Sequence, residues 1–217
     1  MSINYIYNYP MVDNSFLKDF NLQYSYNKDP EYHHQYFKLI PESSNSDISG
    51  LQVSIYKDDL TFLKNSITYP RSELRGLATI NDEIVHTVTW DQYTENYPIG
   101  FNFSFCQIFA KDGPNIILRW KDNQYELLSI QGRNKHIPIK LNILDDVDKW
   151  VNWKLEFLLS IKGYVKVYRN SVLIGEINGN TSGENESYWK QGIYSHDMQP
   201  IDNMNIIIKN LKLYYIK

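Results

Sequence analysis

The amino-acid sequence predicts an all-β protein, a sandwich of two large antiparallel sheets. Short segments rich in β-branched and aromatic residues recur at close intervals, separated by turn residues. Helical periodicity is weak throughout. The 217 residues show no internal repeat, low-complexity tail or linker, so a single domain over 1–217 with one core is expected. A jelly roll, concanavalin-like in layout, is the natural arrangement for this many strands, and its concave face would suit a polymer.

Along the chain, a short helical turn is read at Asn14–Phe20. Strands follow at Gln35–Leu39, Gly50–Tyr56, Arg71–Arg75, Glu83–Trp90, Gly100–Ile108, Asn115–Trp120 and Gln124–Ile130. The turn Lys121-Asp122-Asn123 separates the last two. A second helical turn at Leu144–Trp150 precedes strands Trp153–Ser160, Tyr164–Arg169 and Val172–Ile177, joined through Lys162-Gly163 and Arg169-Asn170-Ser171. The polar stretch Gly179–Ser187 reads as an exposed loop. Strands Gly192–Tyr194 and Met204–Tyr215 close the domain.

Composition narrows the function. A net charge of −3 argues against a surface that coats nucleic acid, so any cationic site must be local. No stretch is long enough to span a bilayer, and the N-terminus lacks a basic start followed by an apolar run. Localisation stays open between cytoplasm, virion and leaderless secretion. The lone cysteine, Cys106, excludes an internal disulfide and, set in an aromatic run, reads as a buried inert thiol. The adjacent His33 and His34 point to opposite faces of a strand, and no Cys/His cluster has zinc spacing. Asp145, Asp146 and Asp148 read as a solvated turn ahead of calcium binding. No metal or cofactor is implied, and a monomer is expected.

Three separated segments carry the functional signal. Two of the five arginines fall in Arg71-Ser72-Glu73-Leu74-Arg75. In a strand Arg71, Glu73 and Arg75 share one face, and such a row is either solvated or lines a polar cleft, because unpaired charge is costly to bury. The second segment is Gln107-Ile108-Phe109. The third, Tyr188-Trp189-Lys190-Gln191-Gly192-Ile193-Tyr194, puts Tyr188, Lys190, Gly192 and Tyr194 on one face. Cations and phenols side by side suit an acidic, hydroxyl-rich ligand.

These segments resemble the jelly-roll polysaccharide lyases. Alginate lyases of polysaccharide lyase family 7 carry an Arg-Ser/Thr-Glu-x-Arg strand, a Gln-Ile/Val-His strand and a Tyr-Phe-Lys-x-Gly-x-Tyr strand. Glucuronan lyases of family 20 and heparin-lyase-like proteins share much of this arrangement. The first motif matches as Arg71–Arg75, the third at Tyr188, Lys190, Gly192 and Tyr194, and the second only at Gln107-Ile108. Phe109 stands where the families place histidine. The likeness runs from Tyr69 to about Ser195.

The resemblance implies β-elimination on a uronic-acid polymer of the alginate or glucuronan type. Removing the C5 proton beside an ionised carboxylate would accumulate a second negative charge, so that charge must be neutralised. Gln107 and Arg71 are the expected neutralisers, with Arg75, Glu73, Lys190 and Tyr188 holding the sugar or orienting the cations. Tyr194 is the expected acid and base, its phenol lowered from about 10 by neighbouring cations. With Phe109 unable to exchange a proton, three readings stay open. Tyr194 performs both transfers, His86 supplies an imidazole, or catalysis is lost and a lectin-like binding protein remains. His86 shares a face with Val88 and Trp90, which favours a packed histidine. His196 sits just beyond the third segment.

Overall fold

In a computed structural model, residues 2–25, 36–43, 47–59, 69–110, 113–122, 124–130, 135–182, 186–197, 200 and 202–217 are described, without the side chains of 135 and 136. His33, His34, Gln35 and Asn123 lie outside the described residues. The strands are β1 Ile3–Tyr9, β2 Phe20–Tyr24, β3 Phe37–Ile40, β4 Gly50–Ile55, β5 Arg71–Gly76, β6 Val85–Glu95, β7 Phe103–Ala110 and β8 Gly113–Lys121. They continue as β9 Gln124–Ser129, β10 Lys135–Ile139, β11 Trp150–Leu158, β12 Gly163–Arg169, β13 Val172–Gly179, β14 Tyr188–Ser195 and β15 Met204–Ile216. Two short 3-10 turns, Asn14–Lys18 and Ile143–Asp145, take the place of the expected helical turns.

The strands form two antiparallel sheets, as the jelly roll requires. One runs β13-β12-β11-β6-β15-β4-β3, with β1 also paired to β15. The other runs β10-β9-β8-β7-β14-β5-β2. Between them lies an aromatic and aliphatic core that includes Trp90, Trp120, Trp153 and Trp189, all essentially inaccessible to water. Trp90 and Trp153 stack at 6.2 Å across paired strands, and Phe105 packs 5.3 Å from Trp153. Burial of such rings contributes about 1.5–3 kcal/mol each.

Several sequence-based expectations shift. The strand expected at Gly192–Tyr194 begins at Tyr188, and that expected at Trp153 begins at Trp150. Two residues of the expected exposed loop Gly179–Ser187 turn inward, while Asn180 and Glu186 are exposed. Thr181 and Ser187 are fully buried, and Asn115 donates to the Thr181 carbonyl at 2.6 Å. Asp146 is also buried; it accepts from the Tyr125 hydroxyl at 2.8 Å and from Arg169 Nε at 2.9 Å. A structural ion pair thus takes Asp146 out of the expected solvated turn, while Asp145 and Asp148 remain exposed.

Cys106 is buried, and burial pushes its thiol up to about 12. Its strand carries an irregularity. Ser104 pairs with Arg119 and Cys106 with Leu118, so Phe105 is an extra residue relative to β8. Phe105 and Cys106 both turn into the core, while Ser104 and Gln107 face outward on either side.

Candidate active site

The three sequence segments lie on adjacent central strands of the seven-stranded sheet. β14 pairs with β5 on one side and β7 on the other. Tyr194 is opposite Arg71 and Ser104, while Lys190 is opposite Arg75 and Gln107. Their inward neighbours, Leu74, Ile108, Trp189 and Ile193, are core residues. That apolar underside fixes the register, because a one-residue slip would exchange the two faces.

The charged row lines a cleft and is buried. Glu73 is 1% exposed, Lys190 3% and Arg71 9%. What makes this affordable is a shared carboxylate. Gln107 Nε2 donates to Glu73 Oε1 at 2.6 Å, Lys190 Nζ donates to Oε2 at 3.4 Å, and Arg71 Nη1 lies 3.6 Å from Oε2. Glu73 thus orients one arginine, the lysine and the amide. Gly192 faces Glu73 across the pair. A Cβ there would fall 2.2 Å from the Ser72 carbonyl oxygen, and its φ of +148° suits glycine alone.

Around this cluster the phenols cover the cations. The Arg71 guanidinium carbon lies 4.6 Å from the Tyr194 ring centre, and that of Arg75 4.4 Å from the Tyr188 ring centre. Phe109 stacks on Tyr188 at 5.5 Å, with Lys190 Nζ 4.6 Å from the centre of its ring. A pocket of about 310 Å³ opens here, lined by Arg71, Ser104, Gln107, Phe109, Pro114, Ile117, Lys190, Tyr194 and His196. Beside Arg75 and Tyr188 a second pocket of about 450 Å³ continues over Asn21, Leu77 and Thr79.

Burial dominates the electrostatics. It raises the Tyr194 phenol above its usual value of 10.0 despite the lowering influence of Arg71. The expected cation-lowered phenol is therefore corrected. At neutral pH Tyr194 holds its proton. Burial also lowers the Lys190 ammonium, opposed by Glu73. His196 is pushed down to about 4 by burial and by Arg119 and Lys121, so its imidazole is neutral at pH 7.

His86 is not brought to this cluster. It lies on β6 of the opposite sheet, buried, stacked 5.6 Å from core residue Phe157, with Nδ1 2.8 Å from the Ile84 carbonyl oxygen. Tyr194, Gln107, Arg71, Arg75, Glu73, Lys190 and Tyr188 do gather. Two further residues join them. His196 continues the outward alternation of β14, with Nε2 2.8 Å from Ser104 Oγ and its ring 5.8 Å from Tyr194, nearly perpendicular. Its spacing of two from Tyr194 was the visible signal. Ser104 was hidden by the irregularity at Phe105.

No protein-family profile matches the chain, and no curated protein does. Solved structures do. The polysaccharide lyase family 7 alginate lyase AlgAT5 superposes with a TM-score of 0.67 at 22% identity, covering 93% of this chain and 96% of its own. An alginate lyase from Corynebacterium sp. gives 0.67 at 18%, covering 96% and 99%. One from Pseudomonas aeruginosa gives 0.68 at 15%, covering 92% and 99%. The chain has the fold of the jelly-roll alginate lyases. At these identities the likeness is one of architecture, and the chemistry rests on the side chains described above.

Proposed function

We propose that this protein is a polysaccharide lyase that cleaves a uronic-acid polymer by β-elimination. The observation that carries the reading is the convergence of Arg71, Gln107 and Tyr194 on one pocket around the buried Glu73. Gln107 spends one amide hydrogen on Glu73 and retains a second for a ligand. With Arg71 it would neutralise the uronate carboxylate and bear the enolate-like charge that develops as C5 loses its proton. Two cations, Arg71 and Lys190, face the single carboxylate of Glu73 within the cluster. A polyanion is thereby favoured over a neutral sugar.

The elimination breaks C5–H, forms the C4=C5 double bond and releases the C4 oxygen, which needs a proton. Tyr194 is that donor, and the neutral His196 imidazole beside it would take the C5 proton and return it to the phenolate. A phenol raised by burial keeps its proton until charge develops on the leaving oxygen. Arg75 and Tyr188 border the second pocket and would hold a neighbouring sugar of the chain.

The test is incubation with alginate, glucuronan, hyaluronan and heparin, following the ultraviolet absorbance of the unsaturated product end. Tyr194→Phe is expected to lower turnover by about 10²–10⁴-fold while polymer binding persists. Undiminished turnover would remove Tyr194 from the mechanism. Polymer binding by the native protein without unsaturated product would leave a lectin-like role.

A further inference from the structure

A row of outward side chains crosses the seven-stranded sheet at the pocket. Arg71 on β5 faces Tyr194 on β14, Tyr194 faces Ser104 on β7, and Ser104 faces Arg119 on β8. Two irregularities make this row. One extra residue enters β14 between Gln191 and Tyr194, relative to β7, and another enters β7 between Ser104 and Cys106, relative to β8. Regular pairing carried on from Cys106 would set the core residue Phe103 opposite Tyr194 and Phe105 opposite Arg119. A hydroxyl stands there instead. Bulges of this kind re-aim side chains beside working sites.

That hydroxyl has one task in sight. Ser104 is 1% exposed, and the only hydrogen-bond partner of its side chain among the described residues is His196 Nε2, at 2.8 Å. The neutral imidazole has one N–H and one lone pair, and its Nδ1 makes no hydrogen bond among the described residues. Arg119 and Lys121 oppose a second proton on the ring, with Glu126 acting the other way. The ring's own preference for a proton on Nε2 is slight, so the partner of that nitrogen decides where the proton sits.

We infer that Ser104 is a positioning residue: it accepts a hydrogen bond from His196 Nε2–H and so holds the ring in the tautomer whose Nδ1 lone pair is free to take a proton. This rests on the lyase reading above, in which His196 receives the C5 proton. The C5–H electron pair becomes the C4=C5 bond as the C4–O4 bond breaks, and Tyr194 protonates O4. Nδ1 takes the C5 proton and hands it to the phenolate, which restores both groups. With the ring proton on Nδ1 instead, the lone pair would be spent on the Ser104 hydroxyl, and the pocket would lose its acceptor.

Proton–nitrogen correlation spectra of the isotope-labelled protein at pH 7 read the tautomer directly, with the His196 signals assigned by their loss in His196→Gln. The native protein is expected to show Nε2 protonated and Nδ1 bare, and Ser104→Ala an average of the two forms. Nδ1 protonated in the native protein, or unchanged signals in Ser104→Ala, would overturn the inference and leave the lyase reading standing. Turnover is then measured on whichever of alginate, glucuronan, hyaluronan and heparin the native protein cleaves. For Ser104→Ala, kcat and kcat/KM are expected to fall together by about three- to tenfold, the worth of one hydrogen bond. Ser104→Thr, which keeps the hydroxyl, is expected to restore the native signals and the rate. Undiminished turnover in Ser104→Ala would overturn the positioning role. No unsaturated product from the native protein on any of the four polymers would remove the lyase reading, and the inference with it.

Discussion

Replacing Glu73 with glutamine tests what permits cations to be buried on this face. The substitution keeps the size of the side chain and removes the carboxylate that Lys190 and Arg71 share. Lys190 is 3% exposed, and burial already pulls its ammonium below the usual 10.5, with Glu73 acting against that pull. Removing one partner of a buried pair costs about 3–5 kcal/mol. A ceiling exists because Lys190 can instead lose its proton. The usual ammonium value of 10.5 makes that cost about 4.8 kcal/mol at pH 7, at about 1.36 kcal/mol per pH unit. At pH 9 the same ceiling is about 2 kcal/mol. Urea denaturation of the native protein and Glu73→Gln at both pH values measures the difference directly. The expected loss is about 3–5 kcal/mol at pH 7, shrinking to about 2 kcal/mol or less at pH 9. A loss under about 1 kcal/mol at pH 7, or an equal loss at both, would refute the reasoning.

His196 should make the protein sensitive to acid. Its folded value of about 4 lies below the usual 6.5, so the unfolded chain binds more protons between the two. Stability therefore rises with pH through that window; the contribution is complete above about 6.5 and lost as pH falls towards 4, at most about 3–3.5 kcal/mol. Comparing the pH dependence of urea denaturation with that of His196→Gln isolates the effect, and identical slopes would assign it elsewhere. Gly192→Ala should cost about 2–4 kcal/mol, since the added carbon meets the Ser72 carbonyl at 2.2 Å and φ is +148°. A variant as stable as the native protein in thermal denaturation would contradict the close approach of β14 and β5.

The central strands were legible because their two faces differ so sharply. Arg71, Glu73 and Arg75 alternate with Ser72 and Leu74, and Tyr188, Lys190 and Tyr194 with Trp189 and Ile193; pairing in this register delivers both sets to one face. The edges were not legible. β1 buries only Tyr7 among seven residues, so it shows little apolar alternation. Pro138 would argue against a strand, yet β10 is the edge of its sheet, where a missing amide donor is tolerated. The burial of the charged row escaped the sequence for a different reason. Its stability depends on Gln107 and Lys190 reaching Glu73 from 34 and 117 residues away. No local spacing encodes such a contact.

Phe109 is fixed on the sheet face by its ring alone. Its neighbours on the sheet face are Tyr188, stacked at 5.5 Å, and Lys190, whose ammonium lies 4.6 Å from the ring centre. A benzene ring satisfies both through its face, since the cation seeks the electron-rich π cloud and the phenol seeks an offset ring. Lys190 is thereby gripped from two directions, by the Glu73 carboxylate and by Phe109. That grip holds the second and third segments in register without any exchangeable proton on Phe109. The ring contacts that fix this position therefore need no exchangeable proton.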